Sequence, residues 1–167
     1  ALCEVLHGRS EAWHPVFSEA RPHPGQRAVT DQLRAALDGS NWTRDEPIAL
    51  RRLSAEADGR VEDEAGQDAY TLRCVPQILG AILDLLDWHD TVVERELNAA
   101  TDNPVFPPPE FPLPGDAPAM HGGNFMGQHV ALVSDALANA AVVMAGLAER
   151  QIARLTDEVL NRGLPAF

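Results

Sequence analysis

The sequence predicts an all-α fold, and three features carry that prediction. Apolar residues keep a helical period over two long stretches, from about Asp68 to Ala100 and from about Phe125 to Thr156. No stretch shows the period-two alternation of a half-buried strand. Between the two long stretches, residues 104–118 hold seven of the thirteen prolines, a density that leaves only an extended surface loop. Two long antiparallel helices from a central helical bundle are the expected architecture.

The elements follow in order. Ala1 to Leu6 reads as the end of a helix, with His7-Gly8 as its stop and no N-cap or entering loop before it. A chain that opens inside an apolar helical turn is expected to be part of something larger. Trp13 to Glu19 makes one or two helical turns. Arg21-Pro22-His23-Pro24-Gly25-Gln26 is a rigid entry, with Pro24 placed for a first helical turn. The helix after it carries Val29, Leu33, Ala36 and Leu37 at i, i+4, i+7 and i+8 and stops at Gly39. From Ser40 to Gly66 the chain is polar and weakly periodic, a loop with a short helix around Ile48 to Leu53.

In the first long helix, Leu72, Val75, Leu79, Ile82, Leu83, Leu86, Val93 and Leu97 form the apolar face, opposite Asp84, Asp87, Asp90 and Glu94. Pro76 removes one helix hydrogen bond and is expected to bend or break it. Asp102-Asn103-Pro104 ends it. His121-Gly122-Gly123-Asn124-Phe125 leads into the second long helix, with Asn124 as the expected N-cap. The middle of that helix is apolar nearly all round, which predicts burial by other helices, and Ser134, Asp135 and Asn139 argue against a membrane span.

Composition narrows the function. A net charge of −12, with no basic cluster, argues against nucleic-acid or anionic-membrane partners. All thirteen basic residues are arginine. Without lysine, neither a Schiff base nor a Walker-type phosphate loop can be built from this chain. Cys3 and Cys74 show no metal spacing, the six histidines form no ligand pair, and no metal site is expected. A cytoplasmic location is the default reading.

The stretch Gln67 to Gln77 holds the chain's one tyrosine. At about 100° per residue, Gln67, Tyr70, Arg73, Cys74 and Gln77 fall on one helical face about 120° wide. A structural reading has Arg73 paired with an acid and Tyr70 capping a packed face. A functional reading has an arginine fork on a carboxylate, with a phenol beside it to move a proton. Gly122-Gly123 before a helix allows an anion cradle or simply a tight turn.

Several blocks, in order, resemble the histidine and aromatic amino-acid ammonia-lyases and aminomutases. They are Arg21 to Gln26, Gln67 to Gln77, Glu94 to Asn98 with Thr101 to Pro104, Gly122 to Phe125, and Glu149 to Leu155. The turn Asn124 to His129 and the tail Leu160 to Pro165 look most like bacterial tyrosine 2,3-aminomutases.

The resemblance implies a methylidene-imidazolone (MIO) electrophile, made from an internal Ala-Ser-Gly, that captures the amine of an aromatic amino acid, most readily tyrosine. It implies a homotetramer with sites shared between subunits. Tyr70 would stand beside the reacting amine, Arg73 would grip the substrate carboxylate, and Gln67 and Phe125 would line the pocket. The departures are as definite. No Ala-Ser-Gly occurs in the 167 residues. The second catalytic tyrosine and the pocket glutamate of the family also have no counterpart. The expectation is the middle third of a larger enzyme, inactive by itself. Alternatives are a histidine or phenylalanine ammonia-lyase, or a catalytically inactive helical oligomerisation module. A fumarase-type lyase is disfavoured because its signature loop needs a lysine.

Overall fold

The computed structural model describes residues 1–44, 67–115, 117–161 and 163–165. The short helix expected around Ile48 to Leu53 lies outside the described residues. Among the described residues there are helices and two isolated β-bridges but no strand. The helices are α1 (Leu2–Val5), a 3₁₀ turn (Ser10–Trp13), α2 (Val16–Ala20), α3 (Pro24–Leu37), α4 (Tyr70–Arg73), α5 (Val75–Leu97) and α6 (Gln128–Thr156). The all-α expectation holds.

The chain forms two compact units, Ala1–Asp84 with Ala140–Phe167, and Leu85–Asn139. The first is built around α3 and the start of α5. Pro24 opens α3 as the sequence predicts, and the backbone N–H of Gly25 donates to the Asp84 carboxylate at 2.7 Å. That bond satisfies one of the orphan donors of the first helical turn. Gly25 and Gly80 allow the approach: a Cβ on Gly25 would stand 2.1 Å from the Gly80 carbonyl oxygen, and one on Gly80 would stand 2.4 Å from the Gln26 backbone. A buried polar chain runs beside them. Ser18 meets Thr30 at 3.3 Å, Thr30 donates to the Gln26 carbonyl at 2.9 Å, and the Gln26 amide donates to the Phe17 carbonyl at 3.2 Å. Leu6, Trp13 and Val29 are buried in the same unit.

The expected single helix from Asp68 is two helices. The one-turn α4 ends at Cys74 (φ −96°, ψ 9°), and α5 starts at Val75. Pro76, which is fully buried, therefore sits in the first turn of a new helix, where its missing N–H costs nothing. The sequence places the break correctly and the start wrongly: Gln67 and Asp68 precede the helix. Within this unit the Gln151 amide of α6 donates to the Thr71 carbonyl at 2.9 Å, tying the late part of α6 to the entry of α5.

In the second unit, the end of α5 and the approach to α6 are tied to each other, as an antiparallel pair requires. Val105 and Met120 exchange backbone hydrogen bonds of 2.9 and 3.0 Å, closing the proline-rich loop at its base. Asn103 accepts from the Gly122 N–H at 2.7 Å, and the Asn124 amide donates to the Ala100 carbonyl at 3.3 Å. Asn124 is thus not an N-cap. α6 begins at Gln128, and the Gly127 carbonyl accepts from Ala131 N–H at 3.0 Å. Gly122-Gly123 stands one turn short of the helix, so the anion-cradle geometry is absent there.

α6 is 29 residues long, and its most apolar window has a mean hydropathy of 1.8, enough by length and composition to cross a membrane. Only 17% of that window is buried. Val142, Val143 and Met144 are exposed, against the expectation of burial on several sides. Val133, Ala140 and Leu147 are buried along one side of α6, while the side with Val142, Val143 and Met144 stays open among the described residues.

Candidate active site

The entry to α4 is fixed by a contact far away in sequence. The Asp68 carboxylate accepts from the backbone N–H of Arg9 at 2.6 Å, with both residues buried. This draws Asp68 out of helical conformation, and Ala69 stays extended (φ −60°, ψ 152°) before the chain turns into α4. Leu72 is the buried residue of that turn, so Tyr70 and Arg73 point away from it.

Tyr70 is 69% exposed, and the Arg73 guanidinium carbon lies 4.6 Å from the centre of its ring. This is a cation–π contact, which fixes the cation against the phenol without consuming the guanidinium's hydrogen-bond donors. Arg73 is half-buried, and its Nε is buried without a hydrogen-bond partner among the described residues. No carboxylate forms an ion pair with it among the described residues. Among the described residues, no acid neutralises Arg73 as the structural reading expects.

Two hollows flank Arg73. One, of about 210 Å³, is lined by Arg9, Glu11, Ala12, Phe17, Gln67, Asp68 and Arg73. The other, of about 250 Å³, is lined by Ala12, Phe17, Arg73, Cys74 and Gln77. The polar face drawn from the sequence is thus split. Gln67 reaches the first hollow from the loop before α4, Cys74 and Gln77 reach the second from the α4–α5 break, and Arg73 reaches both. Tyr70 lines neither and stands on the exposed side of Arg73. Phe125 belongs to the second unit, 59% exposed, on the turn between Asn124 and Gln128. Sequence reasoning missed Arg9, Glu11 and Ala12, which come from the segment between α1 and α2, and Phe17 of α2. A buried arginine next to a 3₁₀ turn leaves no periodic signal.

A family model described as aromatic amino acid lyase matches residues 1–167. The chain belongs to that family. It is 63% identical over 166 residues to a tyrosine ammonia-lyase of Cereibacter sphaeroides, covering 99% of this chain and 31% of that protein. It is 38% identical over 170 residues to a tyrosine 2,3-aminomutase of Myxococcus sp., again covering 99% and 31%. Among solved structures, a phenylalanine aminomutase of Pantoea agglomerans superposes with a TM-score of 0.85 at 33% identity, over 99% of this chain and 31% of that one. The chain spans about a third of the length of these relatives.

The electrophile expected of the family needs an Ala-Ser-Gly run, and these residues contain none. The groups around Arg73 do not supply it. Their chemistry, one cation with an unmatched donor and one exposed phenol, fits a carboxylate-bearing molecule with a proton to move.

Proposed function

We propose that this chain is the amino-acid-holding segment of a tyrosine ammonia-lyase. The reaction would break the Cα–N bond of L-tyrosine with loss of a β-proton, giving ammonia and 4-hydroxycinnamate. The observation that carries the reading is Arg73 stacked on Tyr70 with no acid paired to it among the described residues. An arginine held by a ring face keeps its fork for a ligand carboxylate, and the phenol beside it is placed to hold a proton at the substrate amine. The 63% identity to a tyrosine ammonia-lyase, against 38% to a tyrosine aminomutase, supports deamination over amine migration.

In this reading Tyr70 is the catalytic residue, Arg73 grips the carboxylate, and Gln67 and Phe125 contribute pocket wall. The methylidene-imidazolone would be supplied from outside these 167 residues, so the chain alone would be inactive. A cytoplasmic homotetramer is part of the proposal. The apolar, exposed middle of α6 supports the assembly, since a face of that kind is stable only when covered.

The test is to incubate the enzyme that carries this chain with L-tyrosine and follow both 4-hydroxycinnamate and β-tyrosine. The unsaturated acid should dominate. Dominant β-tyrosine would replace the lyase with an aminomutase, and no product from tyrosine, with turnover of histidine or phenylalanine, would move the substrate.

A further inference from the structure

Gln77 carries a polar group that the proposed reaction does not use. Its side-chain Oε1 is buried without a hydrogen-bond partner among the described residues, in the same state as Arg73 Nε. Both side chains line the 250 Å³ hollow, whose other walls are Ala12, Phe17 and Cys74. Two of those walls are apolar and the third is a thiol, a weak partner. One atom is a donor and the other an acceptor, so each is what the other lacks. A buried polar group left unmatched is costly, which makes their completion favourable.

We infer that Gln77 is a positioning residue for Arg73: its Oε1 and the Arg73 Nε, not bonded to each other in this structure, pair when a ligand carboxylate engages the two Nη groups. This rests on the reading of Arg73 as the carboxylate grip. The α4–α5 break makes the arrangement possible. Cys74 departs from helical geometry, and the buried Pro76 anchors the start of α5, so Gln77 approaches Arg73 from a separate helix. An arginine held at Nε offers two parallel N–H groups that match both carboxylate oxygens. An arginine free to rotate about its last bonds would lose that geometry for part of the time. Glu11 and Asp68, on the neighbouring hollow, are the competing acceptors. Asp68 accepts from the Arg9 N–H at 2.6 Å, and Glu11 serves as the control.

The experiment uses the enzyme that carries this chain, with Gln77→Met and Gln77→Leu, which keep most of the volume and remove the acceptor. The probes are 4-hydroxycinnamate and its decarboxylated counterpart 4-vinylphenol. Each variant should weaken the acid about 10-fold, the scale of one hydrogen bond to a charged group, and leave 4-vinylphenol within about twofold. KM for L-tyrosine should rise more than kcat falls. In an Arg73→Met background, Gln77→Met should cost nothing further. Melting temperature checks that each variant is folded, and Gln77→Leu stands in if Gln77→Met is not.

The inference is overturned by equal weakening of both probes, by an unchanged acid affinity, or by a Gln77 effect that survives without Arg73. It is also overturned if Glu11→Gln reproduces the acid-specific loss and the Gln77 variants do not. If Arg73→Met itself leaves acid binding intact, the carboxylate reading of Arg73 has failed. If Arg73→Met abolishes acid binding and Gln77→Met spares it, only the role of Gln77 has failed.

Discussion

Two stretches that the sequence marks as pocket-forming, 67–77 and 121–127, are held in different ways. The first is anchored from several directions inside its own unit: Asp68 on Arg9, Thr71 on Gln151, Leu72 and Pro76 in the core, and α5 against α3 through Gly25 and Gly80. The second is exposed along its whole length and is tied by two side-chain bonds in its first half, Asn103 to Gly122 and Asn124 to Ala100. Tyr70 and Arg73 are thus set in place by this chain, while Phe125 is carried on a surface turn. The first stretch is preorganised within its own unit; the second is held by fewer contacts among the described residues.

The largest effect expected in breaking that contrast is on stability. Gly80→Ala would force a methyl group to within 2.4 Å of the Gln26 backbone, where there is no flexible side chain to yield. A loss of about 3 kcal/mol is expected, read as a lowered melting temperature. Asp68→Ala should follow with about 2 kcal/mol, because it leaves the buried Arg9 N–H unmatched. It should also cost activity by loosening the entry to α4, and kinetic assay beside the melting curve separates the two.

A pH titration probes the same unit. Burial, with the Asp68 carboxylate beside it, pushes the Cys3 thiol up from 9.0 to about 11. The folded form then keeps its proton where the unfolded chain has released it. The resulting stabilisation is full below pH 9 and is lost as pH rises from 9 to 11. At most about 2 kcal/mol is involved, and Cys3→Ala should flatten that limb of the stability profile.

The smallest effect belongs to the second stretch. Asn124→Ala removes one exposed, long hydrogen bond and should change stability by about 0.5 kcal/mol or less. A large loss there would erase the contrast between the two regions.

The helical fold was legible because its signals are local. The period of Leu72 to Leu97, the break at Pro76 and the entry at Pro24 all depend on neighbours within a few residues; the stop expected at Asp102-Asn103-Pro104 comes earlier, since α5 ends at Leu97. The adjacency of Tyr70 and Arg73 was legible for the same reason, since a single helical turn sets it. What escaped was non-local. Nothing near Asp68 announces that its carboxylate will reach Arg9, 59 residues earlier, and stop the helix from starting at Gln67. The approach of Gly25 to Gly80 is invisible in two isolated glycines. Asn124 resembled an N-cap by type and place, yet its amide is taken by the Ala100 carbonyl, and the helix starts after Gly127. The expected burial of α6 on several sides is not met, since Val142, Val143 and Met144 are exposed; composition reports how apolar a helix is and not which of its sides is covered.

The central claim is that Arg73 reads a carboxylate, and it can be tested by comparing binding of 4-hydroxycinnamate and 4-vinylphenol to the enzyme that carries this chain and to its Arg73→Met variant. The account predicts that the variant loses about 100-fold in affinity for the acid, as expected for a bidentate charged pair, and binds the vinylphenol as before. Equal affinity of the variant and the parent for the acid would contradict it.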